Sequence, residues 1–395
     1  MKLPITKPYF DEHERELMLK PLETGWVVQG PYVKEFEENI AAYTGAKHAI
    51  AVNSCTSGQF ILSQILGLKP GDEVIVPSFT WISTINSIEY LGAKAIFCDV
   101  DIDTFNLDPE KIEALITDKT VAIYPVALFG LPADMISIMN LAKKYGLRVI
   151  EDCACGLGGW IDETHCGLFG DAGVFSFHPR KSITTGEGGM IITNDDHIAK
   201  MAASLRDHGA IKTDFERHHD KGSFLLTEYH QLGYNMRMTD MQGAMGVAQS
   251  NKLRWIMDRK KVLAKRFANE LEHIPYLKAP LIPENYIHGF QAYCTLFMPD
   301  ETIEAIKNKD LNRLNELNEK RNTFMASLEE QGISTRQGTH AVHIQKLYKE
   351  KYSFNEMDYP ASYAADKLTV ALPFYPTMQE EEIEYLFSHL KRYKG

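Results

Sequence analysis

Between residues 48 and 194 the chain alternates short, nearly continuous apolar runs with amphipathic stretches. The runs are HAIAVN (48–53), EVIVP (73–77), KAIFCDV (94–100), VAIYPV (121–126), RVIEDC (148–153), GVFSF (173–177) and MIITN (190–194). SGQFILSQILGL (57–68) and MISIMNLAKKYG (135–146) between them carry helical spacing. Strands alternating with helices predict an α/β fold with a mostly parallel sheet. Strands apolar on both faces predict helices covering both sides. Beyond residue 238 the pattern changes. MTDMQGAMGVAQSNKLRWIMDRKKVLAKRFANELEHI (238–274) has apolar residues at i, i+3 and i+4 and predicts one long helical stretch. QAYCTLFMP (291–299) predicts a strand, and residues 301–331 read as charge-rich helix. MQEEEIEYLFSHLKRY (378–393) predicts a terminal helix whose acidic start and basic end suit the helix dipole. A large α/β domain over 1–245 and a smaller α+β domain over 246–395 are expected. Residues 211–231 are polar and irregular and predict a long loop.

Composition narrows the function classes. A chain of 395 residues with 44% hydrophobic and 24% charged residues suits a soluble globular protein of two ordinary domains. A net charge of −11 argues against a nucleic-acid partner and against an anionic membrane surface. An anionic ligand then needs local cations or helix N-termini. The first residues, MKLPITKPYFDEHERELM, lack the apolar segment of a signal peptide. No run approaches the ~20 apolar residues of a membrane span, so a cytoplasmic location is expected. The six cysteines are scattered, which argues against a disulfide framework. Cys153, Cys155, His165 and Cys166 depart from the C-x2-C spacing of zinc sites, and no metal is expected.

The chemistry-bearing residues fall at the ends of the apolar runs. FSFHPRKSITTGEGGM (175–190) places Lys181 between two strand-like runs. A lysine held between buried strands is poorly hydrated, and its pKa can fall from ~10.4 toward neutrality, which makes it a nucleophile. That suits a Schiff base with a carbonyl, and pyridoxal phosphate is the commonest such carbonyl. A single loop lysine is ordinarily just solvated; its neighbours change that reading. Asn53-Ser54-Cys55-Thr56-Ser57-Gly58 follows a run and opens a helix, either as a plain Ser/Thr cap or as a phosphate site on free amides. Trp81 follows the run EVIVP, either as a core residue or as a ring that stacks on a flat ligand. Glu151-Asp152 ends another run. A carboxylate there could be satisfied by loop amides, or could pair with a protonated pyridine nitrogen. Phosphate turn, aromatic, carboxylate and lysine in that order make four independent accidents improbable.

With these motifs the chain resembles the DegT/DnrJ/StrS-like sugar aminotransferases, pyridoxal-phosphate enzymes of the fold type I aspartate-aminotransferase architecture. The resemblance rests on GWVVQGPYVKEFE (25–37), SCTS (54–57), GDEVIVPSFTW (71–81), IEDCA (150–154), FSFHPRKSITTGEGGM (175–190), GYNMRMTDMQGA (233–244) and ASYAADKLTVALPFYP (361–376). It implies that Lys181 forms the internal aldimine and then carries protons, that Asp152 pairs with the ring nitrogen, and that Trp81 stacks on the ring. It implies phosphate contacts from Cys55 and Thr56 amides, the Thr56 hydroxyl and Ser176. Asn235 would reach the cofactor of a neighbouring subunit, which implies a homodimer. Two positions depart from the family pattern. Cys155 stands where Gln or His is common, as a candidate contact to the phenolic oxygen, and Cys55 replaces a small residue of the phosphate turn. Relatives with histidine in place of the lysine are dehydratases, and Lys181 points away from them.

The activity implied is transfer of the glutamate amino group, through a pyridoxamine phosphate form, to C4 or C3 of a nucleotide-linked deoxy keto-sugar. Arg237, Arg180 and Lys34 are candidate cations for substrate anions, and Thr339-His340-Ala341-Val342-His343 a candidate wall of the sugar pocket. A lyase, dehydratase or aldolase on the same fold is the alternative. A non-enzymatic cofactor-binding regulator is the third reading, though no basic or helix-turn-helix extension supports it.

Overall fold

All seven apolar runs are strands of one sheet, because each buries both faces. The structure, a computed structural model, describes residues 1–212 and 226–393. Strands β1 (His48–Val52), β2 (Glu73–Pro77), β3 (Lys94–Cys98), β4 (Thr120–Ile123), β5 (Arg148–Asp152), β6 (Ala172–Ser176) and β7 (Gly189–Thr193) lie in the order β1–β7–β6–β5–β4–β2–β3. β7 runs antiparallel to β1 and β6, and the rest are parallel. The loop 177–188 between β6 and β7 contains no helix, so it supplies no crossover to return the chain in parallel.

Successive strand residues face opposite layers. Val74, Val76, Val174 and Ile191 pack with Ile61, Leu62, Ile85, Ile88 and Ile198 on one side. These come from α3 (Cys55–Ile65), α4 (Ile82–Glu89) and α6 (Asp196–Leu205), with α1 (Glu12–Thr24), α2 (Pro31–Thr44) and α5 (Met135–Tyr145) completing the series before α6. On the other side Phe175, Met190 and Ile192 pack against Val33, Phe36 and Ile40 of α2. Ile75, Ile123 and Val149 pack there against Ile138 and Ala142 of α5.

The stretch 238–274 departs from the single helix its spacing predicts. It is two helices, α7 (Asp240–Asn251) and α8 (Leu253–Leu271), broken at Lys252, whose φ of −98 and ψ of −2 leave the helical range. Lys252 pairs there with Asp11 and Glu14 and lies 4.8 Å from the centre of the Tyr9 ring, so the break is tied down by the start of the chain. A second, antiparallel sheet follows, with β8 (Leu277–Lys278), β9 (Tyr293–Phe297) and β10 (Thr369–Leu372) in that order. The charge-rich stretch 301–331 is likewise two helices, α9 (Pro299–Asn308) and α10 (Leu311–Glu330), separated at left-handed Lys309. α11 (Pro360–Leu368) and the terminal α12 (Glu380–Leu390) complete this layer, whose core includes Phe267, Phe297, Phe324 and Leu386. The chain start crosses to it: the Leu3 amide donates to the Gly332 carbonyl at 2.8 Å. Of the predicted loop 211–231, residues 213–225 lie outside the described residues. Among the described residues no helix is long and apolar enough to cross a membrane.

Candidate active site

Parallel strands present their carboxyl ends at one edge, and an antiparallel strand presents its first residue there. This edge gathers Ser54–Ser57 after β1, Asp152 at the end of β5, Ser176 at the end of β6 and Gly189 at the start of β7. The loop between β6 and β7 carries Lys181 over the same edge.

At the turn opening α3 the capping reading is realised, and free amides remain for the anion reading. Ser54 is an ordinary N-cap, its hydroxyl accepting from the Ser57 amide at 3.1 Å. Ser57 Oγ donates to Asn53 Oδ1 at 2.6 Å. The first-turn amides of Cys55 and Thr56 have no acceptor within the helix, which leaves them for an anion. The Cys55 thiol turns the other way, toward the Val174 carbonyl at 3.8 Å, and burial pushes its pKa well above the usual value. Gly189 closes against this turn: a Cβ on it would stand 2.5 Å from the Cys55 nitrogen. The Ser176 hydroxyl accepts from the His178 amide at 3.4 Å.

Strand alternation separates the two carboxylates of β5. Glu151 faces away from the edge and accepts from the amides of Gly167, Phe169 and Gly170 at 2.7, 2.8 and 2.8 Å; burial pushes its pKa up to about 8. Asp152, 3% exposed, accepts from Thr84 Oγ1 at 2.6 Å and from the Ala154 amide at 3.0 Å. A carboxylate has about four lone-pair sites, so loop satisfaction leaves it room for a further donor.

The Lys181 amine donates to Cys155 Sγ at 3.1 Å. Its pKa corrects the sequence expectation. Burial does pull the amine down, but the Cys155 thiol, followed by Cys55 and Asp152, outweighs that, and the pKa stands above the usual lysine value. A nucleophilic amine here therefore depends on losing that proton to its surroundings, not on poor hydration alone.

The remaining sequence candidates divide. Trp81 is the N-cap of α4, is 56% exposed and lies with its ring 5.8 Å from that of His340. His343 is buried instead, bonded to Ser78 Oγ at 2.6 Å and to the Glu356 carbonyl at 3.1 Å, so the loop 339–343 turns only one of its histidines toward Trp81. Asn235 is exposed, one residue before Met236, whose carbonyl accepts from the Asn53 amide at 2.8 Å. Arg237 is committed to an ion pair with Asp207. Arg180 and Lys34 are exposed. Among the described residues no group of three or more His, Cys, Asp or Glu is arranged to hold a metal. An anion-ready turn closed by a required glycine, a buried carboxylate and a lysine on one edge fit pyridoxal phosphate.

The profile of the DegT/DnrJ/EryC1/StrS aminotransferase family matches residues 8–391. The chain belongs to this family. It is an aminotransferase that uses pyridoxal phosphate. It is 34% identical over 382 residues to the spore coat polysaccharide biosynthesis protein SpsC of Bacillus subtilis (strain 168), covering 97% of this chain and 94% of that one. The structure of an aminotransferase from Psychrobacter cryohalolentis superposes with a TM-score of 0.86 at 28% identity, covering 97% and 96% of the two chains. DesV of S. venezuelae, solved in complex with a ketimine intermediate, gives 0.84 at 25% identity over 99% and 98%.

Three features of the aminotransferase's site escape the sequence reading. Thr84 lies three residues past Trp81, a signal visible only once α4 starts at Ile82. Cys155 is visible as an unusual residue, but not as the partner of Lys181. Lys260, not singled out in the sequence, is buried beside Ser182.

Proposed function

We propose that this aminotransferase transfers the amino group of glutamate to C4 or C3 of a nucleotide-linked deoxy keto-sugar. The observation that carries the reading is Lys181 and the buried Asp152 sharing one sheet edge with the turn at Cys55 and Thr56. The relative named for spore coat polysaccharide biosynthesis supports a sugar acceptor.

When bound, pyridoxal phosphate supplies an electrophilic aldehyde and a pyridine ring that draws electrons from an attached amine. The chain's residues then divide the work. The amides of Cys55 and Thr56, with the hydroxyls of Thr56 and Ser176, hold the phosphate. Asp152 keeps the ring nitrogen protonated, and Thr84 keeps Asp152 oriented. Trp81 would cover one ring face, and Cys155 would be the candidate contact to the phenolic oxygen. Lys181 Nζ would be the nucleophile toward the aldehyde and, once free, the base that moves a proton between carbons. Asn235 would complete the phosphate site of a second copy, so the working form is a homodimer. Residues 1–245 are read as the cofactor domain, apart from the chain start at Leu3 that joins the second layer, and 246–395 as the smaller domain. Arg180 and Lys34 are the exposed cations open to the diphosphate and the glutamate carboxylates.

Two measurements test this. Glutamate alone should convert the enzyme to its pyridoxamine form with one 2-oxoglutarate released per site, and Lys181→Ala should abolish that step. GDP-, UDP- and dTDP-linked 4-keto and 3-keto sugars should then be aminated, read by mass. Absence of the glutamate half-reaction would return the lyase, dehydratase or aldolase reading, and failure with every sugar nucleotide would move the acceptor elsewhere.

A further inference from the structure

Lys260 lies on α8, is 4% exposed and, among the described residues, forms no ion pair. Its amine donates to Ser182 Oγ at 3.0 Å, across 78 residues of sequence. The titratable groups facing it are Cys155, on the turn after β5, and His288, on the segment before β9. Burial pulls its pKa down to about 7, with Cys155 opposing. A core lysine without a carboxylate weakens a fold compared with an apolar residue of the same length, since the amine must be desolvated or neutralised. Its presence in the core calls for a role besides packing.

Ser182 supplies that role, because it follows the lysine of the site. The turn 178–184 is held from outside at few points. The Lys181 amide donates to the His178 carbonyl at 2.8 Å, within the turn itself. Gln291 Nε2 donates to the Arg180 carbonyl at 2.7 Å, and the Thr184 amide donates to Gln249 Oε1 on α7 at 3.3 Å. Gln291 thus holds the residue before Lys181, and Lys260 holds the residue after it through a side-chain hydrogen bond.

We propose that Lys260 is a positioning residue for Lys181: through the Ser182 hydroxyl it fixes the turn carrying the Schiff-base amine against α8. This rests on the reading of Lys181 as the residue that joins the cofactor. The bond it prepares forms between Nζ and the aldehyde carbon with loss of one water, so its rate depends on where Nζ is held. A misplacement of about 1 Å at such a site costs up to ~100-fold.

The test uses purified enzyme stripped of cofactor and mixed with pyridoxal phosphate, with Schiff-base absorbance followed in time. Lys260→Met and Ser182→Ala should each slow formation about tenfold. The double variant should be no slower than the slower single, since both remove one interaction. The melting temperature of Lys260→Met should equal or exceed wild type. A lysine that merely packs gives the reverse, a lower melting temperature with an unchanged rate. Ser182→Ala leaves the core intact and decides alone if Lys260→Met does not fold. Borohydride reduction and peptide mapping separate the two levels. Label absent from the Lys181 peptide overturns the reading of Lys181. Label on Lys181 with wild-type rates in both variants overturns the role of Lys260 only.

Discussion

The amine of Lys181 donates to the thiol of Cys155 across 3.1 Å, and Cys155 lies three residues past Asp152 on the turn leaving β5. One turn thus carries both the buried carboxylate of the site and the group that most opposes deprotonation of its lysine. Removing the sulfur leaves burial as the main influence on the amine. Cys155→Ala should therefore shift the pH profile of Lys181 labelling by an amine-reactive reagent, in enzyme stripped of cofactor, to lower pH. Mass mapping of the Lys181 peptide reads it, and an unmoved profile would show that Cys155 does not control this proton.

Thr84 and Asp152 form a second pair, and it tests the role proposed for Asp152 at the ring nitrogen. Thr84→Val keeps the shape of the side chain and removes the donor 2.6 Å from Asp152 Oδ2. Leaving a buried carboxylate short of a donor costs about 1–3 kcal/mol, which urea unfolding should show. The glutamate half-reaction should slow about tenfold, since each ~1.4 kcal/mol of lost orientation is a factor of ten. Unchanged unfolding and rate would mean that the Ala154 amide orients Asp152 by itself.

Gly189 tests the phosphate role proposed for the turn at Cys55 and Thr56. Its Cβ would meet the Cys55 nitrogen at 2.5 Å and the Ser54 carbonyl carbon at 2.5 Å, both backbone atoms that cannot swing aside. Gly189→Ala should push the turn outward at a cost of about 1–3 kcal/mol. Part of that should appear as weaker cofactor binding in equilibrium dialysis. Cofactor affinity equal to wild type would detach Gly189 from the site.

His288 makes stability depend on pH. It is buried, stacks on Phe290 with centroids 4.1 Å apart, and its Nδ1 accepts from the Phe290 amide at 2.8 Å. Burial, with Lys260 adding to it, lowers its pKa to about 3. The unfolded chain binds a proton near pH ~6.5 and the folded chain does not. The contribution is therefore present in full above that value and lost as pH falls toward about 3, on the order of a few kcal/mol in all. His288→Asn, which keeps an acceptor for the amide, should flatten this part of the urea-midpoint profile between pH 6.5 and 4. A profile as steep as wild type would assign the acid loss to other groups.

The strands and the order of the site motifs were legible in the amino acids. Runs such as EVIVP and MIITN are apolar on both faces, a local property that survives any packing. Motifs at strand ends inherit a common edge once the strands are parallel, which is why Lys181, Asp152 and Thr56 could be grouped before their distances were known. The break at Lys252 was not legible, because the apolar spacing continues through it and the partners of Lys252 come from Asp11 and Glu14. Nor was the separate fate of Arg237, whose commitment depends on Asp207, or of His343, whose burial depends on Ser78.

By itself, then, the sequence determined the α/β sheet, the edge on which the chemistry sits and the identity of the lysine and carboxylate there. The tertiary structure decided the charge behaviour of that lysine, the Thr84 support of Asp152 and the burial of Lys260 against Ser182. The reason is physical. Strand and helix formation follow from neighbours a few residues away, whereas a proton's affinity and a side chain's burial are set by groups that folding brings together from 26, 68 and 78 residues apart.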